Sequence, residues 1–125
     1  MIKEREIIFY GHHFKEFYLE SNDSLKEKIG YVFRVIKSVY KVSEKFLKHI
    51  EGANGLCEIS VEVGSNIYRI FCCFDEGNLV VLFNAFQKKT QKTPKQEIEL
   101  AEKLKQEYFT LKNNHNEKER SNKKR

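Results

Sequence analysis

LCEISVEVGSNIYRIFCCFDEGNLVVLFNAFQ, residues 56–87, decides the fold. Its first segment, 56–63, alternates strictly. Cys57, Ile59, Val61 and Val63 fall on one face, and Leu56, Glu58, Ser60 and Glu62 fall on the other. A period of two is the signature of a strand with two unlike faces. GSN (64–66) is a hairpin turn. IYRIFCCFD (67–75) follows and is apolar on both faces except at Arg69. EGN (76–78) is a second tight turn. LVVLFNAFQ (79–87) is again apolar on both faces. Turns this short allow only antiparallel neighbours, so the stretch predicts a three-stranded meander. The two strands that are apolar on both sides belong in the middle of a sheet covered on each face.

The flanking segments supply the covers. EIIFY (6–10) reads as a short strand ended by Gly11, and HHFKEFYL (12–19) as a short helix. Leu25, Ile29, Val32, Phe33, Ile36, Val39 and Tyr40 recur at helical spacing. Ser24 and Glu27 fit a capping box at the start of that helix. KVSEKFLKHIEG (41–52) reads as a connector, with one further helical turn at most. After the meander, Thr93 fits an N-cap with Pro94 at the first helical position. Ile98, Ala101, Leu104, Tyr108 and Leu111 then form a narrow stripe. Residues 112–125 carry almost nothing apolar and read as a basic, disordered tail. The prediction is one α+β domain over 1–111 with helices packed on an antiparallel sheet.

The 125 residues include 23 Lys+Arg and 18 Asp+Glu, a formal net charge of +5. Most of the excess lies after Leu111, so the expected folded part is nearly neutral. Within it, residues 84–96 hold Lys88, Lys89, Lys92 and Lys95 with no acid between them. Such a local positive field suits an anionic ligand. No run of about 18 apolar residues exists, so no membrane span is expected. MIKEREIIFYG lacks the apolar core and small-residue cleavage site of a signal peptide. Cys57, Cys72 and Cys73 lie in apolar strands and are expected as buried free thiols in a reducing cytoplasm. No Gly-rich phosphate loop, nucleophile elbow or zinc motif is present. His12 and His13 have no Cys or Asp at metal spacing, so they are expected at a helix start, with no metal and no small-molecule cofactor.

Two features could carry chemistry. Arg69 sits mid-strand with Ile67, Phe71 and Cys73 on its face, where a guanidinium requires an anion. Glu58 or Glu62 across the sheet could supply it, and so could a phosphate. The second feature is FQKKTQKTPK (86–95). A lysine run is ordinarily solvated surface. Here no acid is interleaved, and the helix start near Thr93 adds free N–H groups and positive potential. Phe86 shares strand parity with Asn84 and Lys88. A ring beside cations is one way single-stranded RNA is held, by base stacking and phosphate contacts. Tyr108 reads as helix core by spacing.

These residues also carry a resemblance. REIIFY (5–10), GLCEISVE (55–62), YRIFCCFD (68–75) and NLVVLFNAFQKKTQKTPKQEIELA (78–101) resemble the RelE/ParE superfamily of type II toxins, most closely its phage-derived HigB-like branch. The resemblance spans about Arg5 to Tyr108. It implies a cytoplasmic toxin that cuts mRNA on the ribosome, a 2′-hydroxyl attacking the adjacent phosphate. It also implies an antitoxin partner, expected to carry a helix-turn-helix domain. Carried over, Arg69 matches the arginine at the scissile phosphate. Lys88, Lys89 and Lys92 match the basic run that positions RNA and neutralises charge. Phe86 matches the aromatic before that run, and Glu58 the acid of the strand motif. One position departs: where the family has a strand arginine, this chain has Ser60. Gyrase-binding members share the fold, so binding without cleavage, or an inert prophage remnant, is the competing expectation.

Overall fold

The computed structural model describes residues 4–123, with side-chain detail up to Asn116. Strand β1 (Glu6–Phe9) leads into helices α1 (His13–Glu20) and α2 (Asp23–Ser38). Strands β2 (Leu47–His49), β3 (Cys57–Val63), β4 (Asn66–Asp75) and β5 (Leu79–Lys88) follow, and α3 (Lys95–Lys123) closes the order. The sheet runs β1-β5-β4-β3-β2. β3, β4 and β5 form the antiparallel meander, and β1 joins β5 in parallel. β4 and β5, the strands apolar on both faces, lie in the interior of the sheet as expected.

One face is closed. α1 and α2 press Phe14, Leu25, Ile29, Val32 and Ile36 onto Cys57, Ile59, Val61, Ile70, Cys72, Val80 and Leu82. Full burial of each large aliphatic side chain here stabilises the fold by about 1.5–3 kcal/mol before entropy is counted. The other face is covered by α3, with Ala53, Ile50 and Tyr10 packed at its margin. Ala101 and Leu104 pack with Leu56, Phe71, Cys73, Val81 and Phe83, flanked by Ile98 and Tyr108.

Local chemistry corrects several helix boundaries. α2 starts two residues earlier than its Ser24 signal implies, because the Asn22 side chain accepts the Leu25 N–H at 2.9 Å. It stops at Ser38, so Val39 and Tyr40 leave the helix and Tyr40 is exposed. The reason lies far away in sequence. The Arg5 guanidinium donates to the carbonyls of Ile36, Val39 and Tyr40 and satisfies the helix C-terminus. The connector 41–52 contains no extra helical turn. It contributes edge strand β2, with Leu47, Lys48 and His49 opposite Ile59, Glu58 and Cys57.

α3 begins at Lys95 instead of Pro94. The Pro94 carbonyl accepts from Glu97 and Ile98, so Pro94 stands just outside the helix. α3 also runs past Leu111 to Lys123, where the sequence pattern predicts a disordered tail; Lys124 and Arg125 lie outside the described residues. Lys112 explains the first step of that extension. Its ammonium bonds Asp75 at 2.8 Å and Glu76 at 2.9 Å, tying the helix to the β4–β5 turn. Asp75 is buried and also accepts from Tyr108 at 2.7 Å. Beyond this anchor no apolar stripe is needed, because a solvated helix can continue on propensity alone. Leu111 itself is exposed, so the apolar contacts of α3 end at Tyr108 and Phe109.

Candidate functional site

Arg69, Ser60 and Phe86 form one row across the sheet. Ser60 faces Arg69 in the β3–β4 pairing, and Arg69 faces Phe86 in the β4–β5 pairing. The next row outward is Glu62, Ile67 and Lys88. Alternation puts these side chains on the α3 side of the sheet, together with Glu58, Phe71 and Cys73. α3 covers Phe71, Cys73 and Phe83. Ser60, Ile67, Phe86 and Lys88 all keep partial exposure, which leaves this end of the face open beside the start of the helix.

Arg69 dominates the electrostatics. Its side chain is only 12% exposed, and Nε lies 3.7 Å from Glu58 Oε2. That is an ion pair without hydrogen-bond geometry. Nε and Nη1 are buried with no hydrogen-bond partner. Glu58 is buried too and has a second cation, Lys48, at 3.5 Å across the β2–β3 pairing. The cross-sheet salt bridge foreseen for Arg69 therefore forms with Glu58 and leaves half the guanidinium unsatisfied. Buried donors without acceptors are costly, of order 1–3 kcal/mol each. An incoming anion would satisfy them.

The basic run lies next to this row. Ile67, Lys88, Lys89, Thr90 and Gln91 line an open hollow of about 600 Å³. Lys88 ends β5, while Lys89 and Lys92 are exposed in the loop before α3. The Thr90 hydroxyl donates to the Lys92 carbonyl and braces that loop. Phe86 rests against Phe71, ring centroids 5.4 Å apart, so it is half core and half surface.

Asn84 goes elsewhere. It is buried, and its amide donates to the Glu97 carbonyl at 3.0 Å and to Glu97 Oε2 at 2.9 Å. It clamps α3 to β5 and does not reach the open face. Asn84 falls within the register shift of the β4–β5 pairing, between Leu82 opposite Cys72 and Ala85 opposite Ile70, which strand parity alone could not show.

The histidines divide as well. His12 and His13 stack at the start of α1, with ring centroids 4.2 Å apart. His49 lies in β2, at the sheet edge away from Lys88 and Lys89. Tyr108 is tied to Asp75. Burial first, and the Asp75 bond second, push its hydroxyl up to about 12, which removes it as a base near neutrality. Among the described residues no group of three or more His, Cys, Asp or Glu could hold a metal ion. Among the same residues no helix is long and apolar enough to cross a membrane.

Residues 16–106, more than half of the chain, match the family model described as Phage derived protein Gp49-like (DUF891). That family belongs to the RelE/HigB-type toxin superfamily. A comparison with curated proteins finds no match. The chain belongs to the Gp49-like family.

Proposed function

From that family membership and the open row on the sheet, we propose that the chain is the toxin of a toxin–antitoxin pair and cleaves mRNA on the ribosome. The single observation that carries the reading is Arg69. A guanidinium held inside a sheet face, with two N–H positions unpaired, is poised for a phosphate oxygen. Lys88 stands one row further out and Lys89 follows it in the loop, along the path a nucleic-acid backbone would take.

The chemistry needs no metal. A ribose 2′-hydroxyl gives its proton to water and attacks the adjacent phosphorus; a 2′,3′-cyclic phosphate forms, the P–O5′ bond breaks, and the departing 5′-oxygen takes a proton from water. Negative charge grows on the non-bridging oxygens, and Arg69 stabilises it. Preorganised charge of this kind is worth about 10²–10³ in rate per donor. Lys88, Lys89 and Lys92 hold flanking phosphates, and the exposed part of the Phe86 ring stacks on a base. Ser60, directly opposite Arg69, offers a hydroxyl where the superfamily pattern has a second arginine. The partner that silences the protein is an antitoxin, of the helix-turn-helix type.

Induced in a bacterial host, the protein should arrest growth and cut messages at codon-linked positions within minutes, with DNA intact. Arg69→Ala and the Lys88→Ala/Lys89→Ala pair should each abolish the arrest and keep the native circular dichroism. DNA breakage with intact mRNA would replace cleavage by gyrase binding. Full toxicity of both variants would remove the site from this face.

A further inference from the structure

Away from Arg69, on the α2 face, a second row crosses the sheet. His49 is the register partner of Cys57, and Cys57 is the register partner of Cys72. Cys57 Sγ lies 3.3 Å from His49 Nδ1. Facing residues of an antiparallel pair have Cα atoms about 4.5 or 5.5 Å apart. Both values lie inside the range of roughly 4.4–6.8 Å that a disulfide spans. All three cysteines are free thiols in the resting protein.

The row is reachable. A cavity of about 550 Å³ opens where the segment after α2 meets β2, and Arg5, Tyr40, Lys41, His49 and Cys57 are among its lining residues. His49 is exposed on the edge strand. The imidazole thus stands between solvent and a thiol that is itself covered.

We propose that Cys57 is a hydroperoxide-reactive thiol, that His49 takes its proton, and that Cys72 resolves the product to a disulfide. Proton transfer from Cys57 to His49 gives the thiolate. The thiolate sulfur attacks the terminal peroxide oxygen, so an S–O bond forms and the O–O bond breaks. The departing oxygen takes the proton from His49 and leaves as water or an alcohol. Cys57 is then a sulfenic acid. Cys72 attacks its sulfur, the S–S bond forms, the S–O bond breaks, and hydroxide leaves with the Cys72 proton as water. The two thiols lose two electrons, and the hydroperoxide gains them.

The three thiols differ in the direction this requires. Cys57 is held below the ordinary thiol range, first by the hydrogen bond from Cys72 and against the effect of burial, with Lys105 helping. Cys72 is held well above that range by the same bond and by burial. Cys73 points to the opposite face under α3, and burial raises it to about 12. It is the internal control.

The test uses the purified full chain, hydrogen peroxide, alkylation of the remaining thiols and peptide mass mapping. The expected product is a Cys57–Cys72 disulfide with Cys73 alkylated. Cys72→Ser should trap a sulfenic acid at Cys57 that reacts with dimedone. His49→Gln should slow disulfide formation by about a hundredfold, the lower end of what a positioned base contributes. Cys57 still fully alkylated under conditions that oxidise free cysteine would overturn the proposal. So would a disulfide that uses Cys73, or an unchanged rate in His49→Gln. The mapping of the unsubstituted chain decides the matter even where a cysteine variant fails to fold.

Discussion

Ile70 and Arg69 are neighbours on β4 and belong to two different sheet faces. Ile70 is fully buried under α1 and α2, in a layer where every neighbour is apolar. Arg69 lies on the face that one helix covers only in part, with an incomplete ion pair and two unpaired donors. The buried layer of the closed face is apolar. The half-open face holds a buried guanidinium with unpaired donors, next to exposed cations. Proteins depart from packing rules where function requires it, and stability elsewhere must sustain the departure. The closed face of this sheet is what sustains it here.

The contrast can be broken from either side. Ile70→Ala should cost about 2–5 kcal/mol, the usual range for emptying a tightly packed aliphatic site. Urea unfolding should show it as a lower midpoint, with RNA cleavage per folded molecule unchanged. A loss of cleavage at full folding would mean that the closed face takes part in the chemistry.

Ser60→Arg probes the open face by addition. It places a second guanidinium opposite Arg69, partly exposed, and should raise cleavage by up to about tenfold, roughly 1.4 kcal/mol of barrier. Single-turnover cleavage would reveal it. A decrease would mean that Arg69 already fills the anion position and that like-charge repulsion dominates.

The smallest effect concerns the far edge of the half-open face. Burial works against the charge on Asp75, but its bonds from Lys112 and Tyr108 outweigh it and hold the carboxyl below its ordinary value. A carboxyl with a lower folded than unfolded pKa contributes stability that is full above the unfolded value. That contribution fades as pH falls through the folded one. Urea midpoints should therefore drop on acidification below about pH 4, and Asp75→Asn should lose that part of the slope. An identical slope in the variant would detach α3 from this anchor.

Much of this was readable from residues alone. The strict alternation of 56–63 and the doubly apolar strands after it specify the meander and its central position, because period and polarity depend only on neighbours in sequence. The shared parity of Phe86 and Lys88 was readable for the same reason, whereas the pairing of Arg69 with Phe86 depends on the β4–β5 register. What was not readable depends on distant partners. Arg5 ends α2 from more than thirty residues away. β2 has only three residues and exists because β3 pairs with it. Asp75 and Glu76 hold Lys112 and carry α3 past its last apolar contact. Parity groups Asn84 with Phe86 and Lys88, whereas its amide bonds Glu97. The row His49, Cys57 and Cys72 follows from β2 and stayed hidden with it.

The central claim is that Arg69 is kept for a ligand and not for the fold. The double variant Arg69→Met/Glu58→Met removes both buried charges at similar volume. Exchanging a buried ion pair for well-packed hydrophobic side chains is often neutral to stability or favourable by about 1–4 kcal/mol. Measured side by side, unfolding midpoint and cleavage of ribosome-bound mRNA should separate, with stability held or raised and cleavage lost. A variant that unfolds readily, or one that still cuts mRNA at the original rate, would contradict the claim.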